Sequence, residues 1–138
     1  MKYFKLSEFF KSGVAVKYNI SNEPQQSEKD IICNYLNLLG SCVLDHIRQH
    51  VGRPVIITSG YRCPEINKLA GGSNTSQHMK GQAADFYVSG YTPQQMRKVF
   101  NWIIDTLVYD QLIFYPKKNI IHVSYKIIGN RNQHFTKY

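Results

Sequence analysis

Apolar residues recur at helical spacing in two long stretches of the chain. Between Ser27 and Gly52, the residues Ile31, Tyr35, Leu38, Cys42 and Ile47 return to one helix face, which predicts the longest helix and the central core element. Ser27 with Asp30 offers an N-cap and an acidic partner in the first turn, and Gly52 offers a C-cap. The second stretch opens with Thr92-Pro93-Gln94-Gln95: an N-cap, a proline at the first helical position and a glutamine at the capping-box position. The helix it starts should run to about Leu107, with Met96, Val99, Phe100, Ile103 and Leu107 on its apolar face.

Shorter patterns fill the rest. Residues 3–12 suit a short helix with Phe4, Phe9 and Phe10 turned inward, and the polar run 21–26 reads as a loop. Pro54-Val55-Ile56-Ile57-Thr58 is short and β-branched, as a buried strand is. Pro64 opens a short helix through Leu69 that Gly71-Gly72 ends. Gln82 to Val88 reads as a strand, and Gln111–Tyr115 with Ile120–Tyr125 reads as a hairpin across Pro116-Lys117-Lys118-Asn119. This order predicts an α+β fold, with helices packed on one side of a small antiparallel sheet. The length of 138 residues fits one domain, 1–138, without repeats or low-complexity segments.

Charge narrows the classes of partner. Lys and Arg outnumber Asp and Glu by 17 to 9, a formal charge of +8, which favours acidic surroundings such as nucleic acid, anionic lipid or cell-wall polymer. The cations are scattered, with no basic arm of the kind that binds nucleic acid, so a nucleic-acid partner is not expected. Cys33, Cys42 and Cys63 form neither a C-x-x-C pair nor an even set, which suits buried free thiols in a reducing compartment. The N-terminus is charged where a signal peptide needs an apolar run, and no apolar stretch is long enough to span a bilayer. The expectation is a monomer made in the cytoplasm, which another route must release if its substrate lies in the cell wall.

The segment Ser76-Gln77-His78-Met79-Lys80-Gly81-Gln82-Ala83-Ala84-Asp85 brings an imidazole and a carboxylate close to each other, with Gly81 permitting a turn between them. His122 lies in an apolar strand, where a buried imidazole needs a partner: a hydrogen-bonding group of the core, or a metal. His46 and His50 are one helical turn apart but lack the Glu of H-E-x-x-H, so they read as a solvated face. His134 is uninformative.

Ser76, His78, Gly81, Ala83 and Asp85 match S-x-H-x-x-G-x-A-x-D, and with them the chain resembles the zinc D-Ala-D-Ala carboxypeptidase family, which includes peptidoglycan endopeptidases and phage endolysins. Ser59-Gly60-Tyr61-Arg62, Asn67 with Gly71-Gly72-Ser73, Asp110-Gln111-Leu112-Ile113, Ile121-His122-Val123-Ser124 and the N-terminal Ser7-Glu8-Phe9-Phe10-Lys11-Ser12 extend the resemblance in order over nearly the whole chain. It implies the fold shared by these peptidases and the zinc-binding domain of hedgehog proteins. It also implies zinc ligands His78, Asp85 and His122, and an Arg62 that grips a peptide carboxylate or carbonyl in forked geometry. Ser76 would orient the metal loop or bond the substrate.

The chain departs from the family at the general base, which is commonly a carboxylate three residues before the last histidine ligand. Asn119 stands there, and where some relatives carry Glu after D-Q-L-I this chain has Tyr115. A general base contributes about 10²–10⁴-fold in rate, so its loss would weaken catalysis rather than metal binding. The leading expectation is a zinc metallopeptidase of carboxypeptidase or endopeptidase type acting on peptidoglycan stem peptides, with Asn119 or Tyr115 near the reacting atoms. The alternative is a catalytically weak or inactive zinc-binding module that recognises cell-wall peptides.

Overall fold

The computed structural model describes all 138 residues. Two short helices, α1 (Leu6–Phe10) and α2 (Gly13–Tyr18), precede a long helical run. That run is α3 (Lys29–Leu39), a π-helical turn (Gly40–Leu44) and α4 (Asp45–Val51) in unbroken succession. Strand β1 (Val55–Ser59), helix α5 (Pro64–Leu69) and a 3-10 turn (Gln77–Lys80) lead to β2 (Ala83–Val88). Helix α6 (Pro93–Thr106) then precedes β3 (Gln111–Tyr115), β4 (Ile120–Ser124) and β5 (Gln133–Thr136). The strands form one sheet in the order β1-β2-β4-β3-β5.

The expected α+β architecture is present, and β1 to β4 pair antiparallel throughout. β5 was not expected; it runs parallel to β3 and makes the sheet mixed. The capping box of α6 forms as its sequence predicts: the Thr92 hydroxyl accepts from the Gln95 amide, and the Gln95 side chain accepts from the Thr92 amide. α2 was also missed, as its start carries only one sequence signal, Ser12, whose hydroxyl accepts from the Ala15 amide. The N-cap position of the long helix falls on Glu28 rather than Ser27, and no side chain caps it.

The buried stripe of the long helix differs by one position from the expected one. Ile32, Leu36, Leu39, Val43 and Ile47 are buried, while Ile31 is exposed and Tyr35, Leu38 and Cys42 are half-buried. The chain is apolar at both members of 31/32, 35/36, 38/39 and 42/43, so periodicity alone does not choose between the two faces.

Alternation divides the sheet into two faces. Val55, Phe86, Val88, Leu112, Phe114, Ile121 and Val123 join the core cluster that the helices cover. The opposite face carries Asp85 opposite His122, and His122 opposite Ile113, in successive strands. That face is left open to solvent and holds the site.

Asp110, fully buried at the start of β3, ties β5 to the sheet. Its carboxylate accepts from the Arg131 amide, Nε and Nη2 at 3.0, 3.0 and 2.8 Å, and Lys126 Nζ lies 3.6 Å away. Burial acts to raise the Asp110 carboxyl, but the Arg131 hydrogen bonds, its charge and Lys126 together hold it below the usual range. Asp110→Asn should therefore cost roughly 1–3 kcal/mol, the cost of breaking a buried charge-assisted pair with a half-exposed arginine. Since the folded pKa is depressed, this contribution is complete above the unfolded carboxylate value near about 4 and is lost as pH falls through the folded value. Thermal unfolding followed from pH 7 to pH 2 should show a shallower acid loss in Asp110→Asn than in the parent; parallel curves would rule out the pair as a stabilising element.

Candidate metal centre

Three elements place the three candidate ligands. Asp85 and His122 are cross-strand neighbours on β2 and β4, and alternation turns both to the open face. His78 comes from the 3-10 turn, which the Ser76 hydroxyl caps by accepting from the His78 amide at 3.2 Å. Gly81 closes that turn at φ 73°, and a Cβ there would lie 2.7 Å from the Ile32 carbonyl oxygen, so a side chain is excluded on two counts.

The donor atoms converge. His122 Nδ1 lies 2.8 Å and His78 Nε2 lies 3.4 Å from Asp85 Oδ1, and the ligand atoms of all three residues fall within 4.8 Å of one another. The other ring nitrogen of His78 is already engaged: Nδ1 donates to the Gly60 carbonyl at 2.7 Å, so Nε2, the nitrogen turned to Asp85, is the one that a metal would take in place of a proton. A histidine fixed in its tautomer by a backbone carbonyl is the usual companion of a metal bond. Burial works to raise the Asp85 carboxyl, yet hydrogen bonds from His122 and His78 and their charges outweigh it, holding the group far below the usual carboxylate range. Two imidazoles and one carboxylate are borderline donors that suit zinc, and three protein ligands are the number catalytic zinc sites use.

The segment 59–63 is clamped around this cluster. Gly60 packs so tightly on α1 that a Cβ would lie 2.5 Å from the Phe9 carbonyl oxygen. The Tyr61 amide donates to that same oxygen, and the Arg62 amide donates to the His78 carbonyl at 3.1 Å. Buried Asn22 completes the clamp: its Nδ2 donates to the carbonyls of Phe10 and Tyr61, and its Oδ1 accepts from the Cys63 amide at 2.8 Å. Sequence reasoning passed over Asn22 as one polar residue of a loop, since nothing local marks a side chain that bonds 39 and 41 residues away.

A cleft of about 760 Å³ opens over the cluster, lined among others by Arg62, Ser76, His78, Asp85, Tyr115 and His122. Arg62 is half-buried, and its Nε–H has no acceptor within the protein. The Tyr115 hydroxyl is raised above its ordinary value by burial and by the charge of Asp85, with Arg62 opposing, so it remains a proton donor at neutral pH. Asn119 is not brought to the cleft, which corrects its placement near the reacting atoms. It sits in the β3–β4 turn at φ 55°, a conformation asparagine tolerates, and its Nδ2 donates to the Tyr91 carbonyl at 2.8 Å. Its Oδ1 is buried without a partner. Asn119 serves the turn rather than the chemistry.

The other histidines lie elsewhere. His46 is exposed on α4, His50 stacks on Trp102 with ring centroids 4.0 Å apart, and His134 Nδ1 meets the Tyr109 hydroxyl at 3.0 Å. All three cysteines are free; Cys63 is buried, while Cys33 and Cys42 are half-buried. No helix is long and apolar enough to cross a membrane.

His78→Ala should lower zinc affinity by more than about 10²-fold, because it removes a whole ligand and not only its outer support. His46→Ala should retain the parent's zinc content. Metal analysis after dialysis against competing chelator measures both, and equal loss in the two variants would locate the metal elsewhere.

No curated protein matches the chain. The Peptidase M15 family model matches residues 2–124, which takes in α1, the clamp, the 3-10 turn and strands β1 to β4. Its members are zinc enzymes that include the D-Ala-D-Ala carboxypeptidases. With that match over most of its length and a His-Asp-His cluster in the cleft, the chain belongs to the M15 peptidase family.

Proposed function

We propose that the chain hydrolyses peptide bonds of peptidoglycan stem peptides, as a carboxypeptidase or endopeptidase, with zinc held by His78, Asp85 and His122. The observation that carries this reading is the convergence in one cleft of three ligand atoms, an arginine lacking an acceptor and a protonated tyrosine. A bound zinc ion supplies Lewis acidity, which polarises a carbonyl and makes water acidic near neutral pH. Arg62 offers a half-buried N–H fork to a peptide carboxylate or carbonyl, and that contact satisfies its unpaired Nε–H. Tyr115 can donate its hydroxyl proton to the departing amine, since burial first and Asp85 second keep it protonated. The six cations lining the cleft suit an acidic wall peptide.

One observation favours the second reading, a zinc module that binds wall peptides and cuts them slowly or not at all. Asp85 is the only carboxylate lining the cleft, and it is committed to the ligand cluster, so no side chain there is free to take a proton from water.

Purified protein incubated with peptidoglycan and with a synthetic stem pentapeptide, with zinc and with chelator, separates the two. Release of amino groups or D-alanine that stops on chelation and returns with zinc supports the peptidase; zinc-dependent binding without release supports the module. If the protein is active, Tyr115→Phe should lose about 10²-fold or more in kcat at unchanged zinc content. Arg62→Lys should weaken product-peptide binding by about tenfold, because the charge survives and the fork does not. An unchanged kcat in Tyr115→Phe would remove the hydroxyl from the chemistry.

A further inference from the structure

We infer that residues 125–138 build a cationic subsite within the metal cleft, which binds a carboxylate of the peptide remote from the scissile bond. The inference rests on the peptidase reading of the same cleft and adds a determinant of specificity to it. Residues 125–138 lie beyond the segment matched to the M15 family, so the family's ligand set and substrate arginine leave them without a role.

The placement follows from pairing. β5 lies parallel to β3 with Gln111 opposite Gln133 and Ile113 opposite Phe135. Gln111, Ile113 and Tyr115 line the cleft, so alternation along β5 brings 133, 135 and 137 to the same side, and Lys137 does line the cleft. The Lys137 amide donates to the Phe114 carbonyl at 2.9 Å, which fixes the end of the strand. Lys126 and Arg131 enter from the loop before β5. That loop is closed on itself by Asn130, whose amide side chain exchanges two 2.8 Å hydrogen bonds with the Lys126 backbone.

The charge there is uncompensated. Asp110 is the one carboxylate beside these residues, and it is fully buried, while the side chains of Lys126 and Arg131 remain 38% and 52% exposed. Two cations against one buried anion leave a net positive charge facing the cleft, and Lys137 adds a third cation with no partner. Arg131 gives Nε and Nη2 to Asp110, which leaves Nη1 to donate outward. Asp110 is thus a positioning residue: it holds the guanidinium plane while the free edge faces solvent. A peptide lying across the metal cluster with a second carboxylate meets these three cations.

The test uses the full chain and two fluorescent pentapeptides, L-Ala-γ-D-Glu-L-Lys-D-Ala-D-Ala and its analogue in which the free α-carboxylate of the D-glutamyl residue is a carboxamide. Binding to metal-depleted protein is read by anisotropy at low and high salt, and kcat/KM of the zinc-loaded protein is compared for the same pair. The parent should prefer the acid peptide by about tenfold at low salt, and the preference should shrink as salt screens exposed charge over about 8 Å. Lys137→Gln, an exposed position that does not endanger folding, should reduce the preference about threefold, and Lys126→Gln with Lys137→Gln should abolish it. Lys98→Gln, an exposed cation outside the cleft, controls for net charge. Equal binding of both peptides by the parent, a preference that survives in the double variant, or an equal loss in Lys98→Gln would overturn the subsite while leaving the peptidase reading intact. Failure to bind or cleave either peptide would overturn both.

Discussion

The site depends on the register between β2 and β4. Asp85 opposite His122 is one rung of an antiparallel ladder whose neighbouring rungs, Ala84 opposite Val123 and Phe86 opposite Ile121, are core pairs. A slip of β2 by one residue would drive the Asp85 carboxylate into the apolar interior and turn Phe86 to solvent, so burial of the core holds the candidate ligand pair in register. Residues outside the candidate ligand set thereby fix its geometry. The third ligand lacks that support and depends on Gly60, whose carbonyl accepts from His78 and whose missing side chain lets α1 approach.

Both of these constraints were partly legible. The motif from Ser76 to Asp85 and the strand around His122 name the three residues that the structure brings together, and alternation along two apolar strands is enough to put Asp85 and His122 on a polar face. The capping box at Thr92 and the proline that opens α5 gave helix starts that the structure reproduces. Less legible were features whose cause is distant in sequence. Asn22 carries no local signal, because its three hydrogen bonds are made to backbone groups brought in from elsewhere. β5 is polar at most positions and exposed, so it lacks the hydrophobic pattern of a strand; the buried Asp110 and the ladder to β3 hold it. On the long helix, adjacent apolar positions offered two stripes, and packing into the common core selected the second.

Asn119 shows why sequence position alone misjudges a catalytic role. Three residues before a strand histidine, alternation alone would give opposite faces, so whether such a residue reaches the metal depends on the turn between β3 and β4. In this chain the turn passes through a left-handed backbone conformation at Asn119 and commits the side-chain amide to the Tyr91 carbonyl. A carboxylate substituted there would set its oxygen against that carbonyl and lose the donor, an unfavourable exchange of a hydrogen bond for repulsion. The amide at 119 and the absence of a second carboxylate in the cleft are therefore two separate facts with separate causes: the first answers to the turn, the second bears on turnover.

The net charge of +8 looked diffuse because its carriers are far apart in sequence. Folding collects Arg62, Lys80, Lys118, Lys126, Arg131 and Lys137 around one cleft in which Asp85 is the only acid. With low-dielectric walls beneath and solvent on one side, such an arrangement concentrates its field over the opening, so an anionic peptide is drawn toward the ligand cluster before any close contact forms. The same field has a cost: cations placed around the cleft oppose the arrival of a metal cation. Asp85, held ionised by His122 and His78, supplies the local negative charge that offsets this. One carboxylate at the centre and six cations around it thus divide the work, the inner charge favouring a metal and the outer ones a peptide anion. A chain that moved even one of the outer cations to the distant helical face would keep its net charge but hold a weaker field over the opening.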